Sequence, residues 1–150
     1  MAAELFAVAG SKIYIGGVLA SKTTDFVAGD YSGQTWVEID GWETMGALGD
    51  NAEMITTPLI NRGRDTKQKG TFNAGSYEAQ FAIVDGDPGQ TAIKAAGKTK
   101  LNYAFRVVYP GGETEYFIAL VVGTPRTGGG ANDVLMISAT LEVNSNIVEV

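Results

Sequence analysis

Asp87-Pro88-Gly89-Gln90 opens a stretch, DPGQTAIKAAGKTKLNYAFRVVYPGGETEYFIALVVG (residues 87–123), in which a helix, two strands and a turn can be read in succession. Pro88 near the start, the alanine-rich positions 92–96 and Gly97 at the end predict a short helix, with Asp87 as its cap. Leu101, Tyr103, Phe105, Val107 and Tyr109 then alternate strictly with Asn102, Ala104, Arg106 and Val108, the period of a strand. Pro110-Gly111-Gly112 supplies a turn, and residues 113–124 return as a second strand, which makes a hairpin. Residues 116–122 are apolar on both parities, so this strand is expected to be covered on both faces.

Working outward, strand signals dominate. Residues 12–19 (KIYIGGVL) are β-branched and aromatic, interrupted by Gly16-Gly17 as a bend or hairpin point. Residues 20–34 read as a loop, 35–39 (TWVEI) as a strand, and Gly41-Trp42 as a second short element. Residues 71–84 read as one long strand whose parity slips around Gly75, the mark of a β-bulge. Residues 125–132 (PRTGGGAN) are a loop. Leu135, Ile137, Ala139, Leu141 and Val143 then alternate with Met136, Ser138, Thr140 and Glu142 in a final strand. Six to eight strands and one helix predict a mainly β fold. The expected form is an antiparallel β-sandwich or barrel in a single domain, 1–150, with the short α-helix packed on the outside.

Between residues 44 and 70 the periodicity disappears. An irregular segment of that length is uncommon in a compact domain and usually functional. It carries Met45, Leu48, Met54, Ile55, Leu59 and Ile60, which a solvated loop does not favour, and is expected to meet a partner surface on another subunit. Its end is basic: Arg62, Arg64, Lys67 and Lys69 face only Asp65. One reading is a solvated loop; the other is a patch that docks on an acidic surface of another copy, fixing register.

Composition narrows the chemistry. The chain has 150 residues, 45% of them hydrophobic and 19% charged, the balance of a globular domain able to bury a core. Twenty glycines, well above average usage, point to turns and bulges. With no cysteine and no histidine there is no disulfide, no thiolate nucleophile, no Ser-His-Asp triad and no His-ligated metal. The first residues, MAAELFAVAGSK, lack the pattern of a secretion signal. The longest apolar run, 116–122, falls far short of the roughly 20 residues of a membrane helix, so the expectation is a soluble protein kept or assembled in the cytoplasm. The net charge is −6, unevenly spread: −6 over residues 1–60, +4 over 61–110 and −4 over 111–150. An acidic chain argues against binding nucleic acid through its average field, and acidic ends with a basic middle suit head-to-tail association.

No motif supports catalysis or cofactor binding. Gly128-Gly129-Gly130 lacks the spacing of a phosphate loop. Asp85-Gly86-Asp87 resembles half a calcium loop, but the twelfth position is Ala96 rather than glutamate. The pairs Glu113/Glu115 and Glu38/Asp40 are read as solvated strand edges rather than acid-base pairs. Trp36 and Trp42 are read as core or contact residues, the alternative being the platform of a β-sandwich module that binds carbohydrate or protein.

The order of features carries a resemblance. An early strand pair, a Trp-containing segment and a long irregular loop are followed by a bulged strand, a PGQ-led helix, the YPGG hairpin and a closing amphipathic strand. This resembles the tail tube proteins of long-tailed bacteriophages, a family similar to the tube-forming proteins of type VI secretion and of gene transfer agents. Residues 87–123 and the closing DVLMISATLEVNSNIVEV are most similar to it. The resemblance implies a structural virion protein without cofactor or enzymatic activity. Its subunits would form hexameric rings that close a shared β-barrel and stack into a hollow tube conducting DNA. Implied partners are other copies of itself and the tape-measure, baseplate and terminator proteins of a tail, with DNA only in transit and no membrane. On this reading residues 44–70 order when rings stack, an acidic lumen lets DNA slide, and Glu78 is the candidate lumen acid.

Overall fold

A computed structural model describes residues 5–150; the start of the segment in which no secretion signal was read, residues 1–4, lies outside them. Eleven strands and one α-helix follow in the order β1 (Lys12–Val18), a 3-10 turn (Ala28–Tyr31), β2 (Val37–Glu38), β3 (Trp42–Thr44), β4 (Asn51–Leu59), β5 (Arg64–Asn73), β6 (Ser76–Ala82), α1 (Pro88–Ala96), β7 (Asn102–Val108), β8 (Thr114–Gly123), β9 (Arg126–Thr127), β10 (Met136–Val143) and β11 (Val148–Glu149). The main antiparallel sheet has the order β2-β1-β7-β8-β10-β6-β3, with β11 added to β8 and β9 to β10. It curls into a half-barrel. β4 and β5 form a separate two-stranded sheet.

Parity sets the core. Ile137, Ala139, Leu141 and Val143 of β10 are buried while Met136, Ser138, Thr140 and Glu142 between them are not. Their face joins Ile13, Ile15, Tyr77, Phe81, Phe105, Val107, Phe117, Ala119 and Val121 in one cluster, closed by Ile93 and Ala96 of the helix. Each such fully buried large side chain contributes about 1.5–3 kcal/mol relative to exposure. β8 is covered on both faces: Ile118 and Ala104 on the reverse side pack with Phe26 and Tyr31 from the segment after β1.

The helix sits where the sequence places it, and the residues of PGQ explain why. Asp87 Oδ2 accepts from the Gln90 backbone N–H at 2.9 Å, and Pro88 occupies the first turn, where no donor is needed. Gly89 presses against strand backbone so closely that a Cβ there would lie 2.1 Å from the Glu38 carbonyl oxygen. Gln90 is buried; its Nε2 donates to the carbonyls of Asp40 at 2.8 Å and Ala82 at 2.9 Å. The helix thereby ties the β2–β3 turn to the end of β6.

The structure differs from the sequence reading in four places. Residues 125–132, read as a loop, contain the two-residue strand β9, which pairs with Met136 and Ile137 of β10. Gly16-Gly17 makes no hairpin; β1 runs through it with a shift of register against β7 between Ile15 and Val18. Residues 71–84 are not one bulged strand. Gly75, at φ +69°, separates β5 from β6, and the two strands belong to different sheets. Residues 44–70 are not irregular, because β4 pairs with β5 from Asn51↔Asn73 to Leu59↔Arg64. Gly75→Val would force a β-branched residue into the left-handed region. We expect a loss of about 1–2 kcal/mol in denaturant unfolding; an unchanged midpoint would contradict the role of this break.

Candidate assembly surfaces

The β4–β5 hairpin is exposed along nearly its whole length. Register puts Met54 and Thr56 of β4 opposite Lys69 and Lys67 of β5, while Ile55, Thr57 and Leu59 stand opposite Gln68, Thr66 and Arg64 on the other parity. The four bases therefore do not form one patch. Lys67 and Lys69 share a face, Arg64 lies on the reverse, and Arg62 belongs to the turn, where Gly63 takes φ +59°. Among the described residues no carboxylate pairs with any of them; the one ion pair joins Lys22 to Asp30 at 2.6 Å. Ile60 at the tip is completely exposed and Phe72 at the root 68% exposed, with Met54 and Ile55 also open. Met45 and Leu48, expected in the same segment, lie at its base and are half-buried. Leu48 packs on the main core, and Met45 faces Phe6, Tyr109 and Pro110.

The two tryptophans lie on opposite faces of the sheet. Trp42 packs on the main core, whereas Trp36 joins the reverse-side cluster. There the Arg106 guanidinium lies 4.1 Å from the Tyr14 ring centroid and 5.1 Å from that of Trp36. Trp36 also meets Tyr116, which stacks on Tyr31 at 5.0 Å. No shared platform exists. Sequence reasoning missed Arg106, because a strand residue with an even neighbour pattern gives no hint of two aromatic partners from separate segments.

Glu78 is exposed on β6, opposite Thr140. Its parity is shared by Gln80 and by Ser138, Thr140 and Glu142 of β10, a polar face away from the core cluster. Asp87 acts as the helix cap, and its Oδ2 also accepts from the Asp40 N–H at 3.2 Å. The Glu113/Glu115 pair is split: Glu115 is buried and accepts from the Tyr109 hydroxyl. Burial pushes the Glu115 carboxyl above its ordinary value, the Tyr109 hydrogen bond opposes this, and the charges of Glu149 and Glu113 add to the rise. Among the described residues no three acids come together in a way that could hold a metal ion, and no helix is long and apolar enough to cross a membrane.

The molecule is an open half-barrel carrying a hairpin whose apolar side chains Met54, Ile55, Ile60 and Phe72 are exposed. A profile of the phage tail tube protein family matches residues 2–150, and the chain belongs to that family. It is a structural component of the virion tail. No curated protein matches it in sequence. Among solved structures, a chain of the "anti-feeding prophage (AFP) baseplate, 6-fold symmetrised", determined by cryo-EM, is similar in fold. The TM-score is 0.68, with 12% identity over 100% of this chain and 97% of that one.

Two measurements check these assignments. Trp36→Ala should cost at least about 2 kcal/mol of stability through lost burial and cation–π contact; an unaltered unfolding curve would mean that Trp36 is not structural. Glu115 has a folded-state pKa above its unfolded value, so its ionised form is destabilising, and stability falls as pH rises through the folded value. Glu115→Gln should raise stability at neutral pH and flatten its dependence toward acid. A loss of stability at neutral pH would contradict this.

Proposed function

We propose that this single-domain chain is a non-enzymatic tube subunit. Six copies close into a ring, and rings stack into the hollow tail tube through which DNA passes, assembled in the host cytoplasm. The observation that carries the reading is the β4–β5 hairpin. An isolated two-stranded hairpin is marginal in water, and this one presents Met54, Ile55, Ile60 and Phe72 to solvent. A second copy is the natural cover, with the unpaired bases Arg62, Arg64, Lys67 and Lys69 meeting acids of an acidic neighbour.

The half-barrel supports ring closure. It ends in strands of two residues (β2) and three residues (β3), which leave much of β1 and β6 without a strand beyond them. Joining such edges around a closed ring removes them. The polar face of β6 and β10 offers Glu78 and Glu142 with hydroxyls and no base, a wall that repels phosphate instead of binding it. Tape-measure, baseplate and terminator proteins are the partners at the tube's interior and ends.

Electron microscopy of the purified chain at high concentration should show rings or hollow filaments. A persistent monomer that instead binds an oligosaccharide or a protein would favour a binding module and overturn the reading. Reversing all four bases (R62E/R64E/K67E/K69E) should leave the monomer folded by circular dichroism and abolish or strongly reduce stacking. Tubes formed as readily as by wild type would remove the hairpin from the interface.

A further inference from the structure

The hairpin is rooted at one end of β6 and β10, beside Gly75, which accepts from the Val143 N–H at 3.0 Å. Nine residues of β4 carry its tip roughly 30 Å from that root. At the opposite end of the same two strands, where Ala82 pairs with Met136, lies a groove of about 410 Å³. It is bounded by β3 and by the glycine loop that runs from Thr127 to Val134. Ala82, Met136 and Val134 give it apolar walls, and the ionisable groups in its lining are Glu43 and Asp133, both acids. Val134 is 63% exposed, with Leu135 beside it at 50%. Among the described residues neither acid is ion-paired. Glu43 accepts from the Thr44 hydroxyl and Asp133 from the Gly130 N–H, so each keeps a further oxygen lone pair free.

We propose that this groove, on a second copy of the chain, receives the hairpin tip: Ile60 enters between Ala82, Val134 and Met136, and Arg62 and Arg64 reach Glu43 and Asp133. The inference rests on the stacking reading above and adds the acceptor to it. Complementarity is of both kinds, a completely exposed isoleucine for an apolar slot and two unpaired guanidinium groups for two unpaired carboxylates. Polarity follows from position. Donor and acceptor sit at opposite ends of β6, so the contact uses different surfaces of the two copies and repeats in one direction without closing. Lys67 and Lys69, farther from the tip, are left to the flank of the groove's owner.

The absence of cysteine makes the test direct. The double variant I60C/V134C, oxidised after assembly, should run as a ladder of covalent multimers on a non-reducing gel. I60C/N144C should not, because the exposed Asn144 lies beside Phe72 and Asn73, at the root of the hairpin and the far end of β10 from the groove. Tubes seen by electron microscopy in both samples, with the ladder absent or confined to I60C/N144C, would overturn the groove and leave the tube reading standing. No rings or tubes from wild type would overturn both. Should I60C/V134C alone fail to form tubes, a mixture of R62E/R64E chains with E43K/D133K chains decides the matter. Tubes from the mixture but from neither parent support the groove, and none from the mixture refutes it.

Discussion

β8 buries side chains on both of its faces, and the rest of the molecule is arranged to meet that demand. Phe117, Ala119 and Val121 need one cover and Ile118 with Tyr116 another. The first is the curled sheet itself, closed by α1. The second is the segment after β1, whose Phe26, Tyr31 and Trp36 lie across β7 and β8 as a row of aromatic contacts. That segment is short, so it covers only this half of the reverse side. The reverse of β6 and β10 is left polar, and the proposed lumen wall is what remains when the available apolar cover has been used.

Buried polar groups hold the layers in register. Gln90 satisfies a carbonyl of the β2–β3 turn and one of β6 that the helix would otherwise shut away from water, and Asp87 serves the helix and the same turn together. An unmet buried carbonyl costs roughly 1–3 kcal/mol, so these two side chains do more to fix the helix than its nine residues of intrinsic propensity could. The chain thus has a body specified from within and a hairpin that is not.

The same division explains what could be read from sequence. The closing strand is legible because it buries one parity and exposes the other, the helix because Asp87, Pro88 and Gly97 punctuate it, and the β7–β8 hairpin because strict alternation in β7 meets an unbroken apolar run in β8 across the Pro110-Gly111-Gly112 turn. β4 and β5 were invisible for the opposite reason: exposed on both faces, Met54, Thr56, Ile55 and Thr57 show no alternation for burial to impose. Their turn, through Ile60 to Gly63, lacks the two-residue Asn-Gly signal of a tight hairpin. Gly75 reads as a bulge in the sequence although it ends a strand in the structure, since a phase slip looks alike in both cases. The two tryptophans could not be assigned to faces without the sheet order, and the groove by Glu43 and Asp133 joins residues ninety positions apart.

The exposed hairpin has a consequence for growth. On the proposed arrangement, a ring with nothing beneath it keeps every Ile60 and Phe72 in water, whereas a ring added to an existing end covers them at once. Starting a tube is then costly and extending one is not, so tubes start by themselves only at high subunit concentration, and below it free subunits persist until a template appears. Where tubes begin, and how many, is decided by whatever supplies the first acceptor groove.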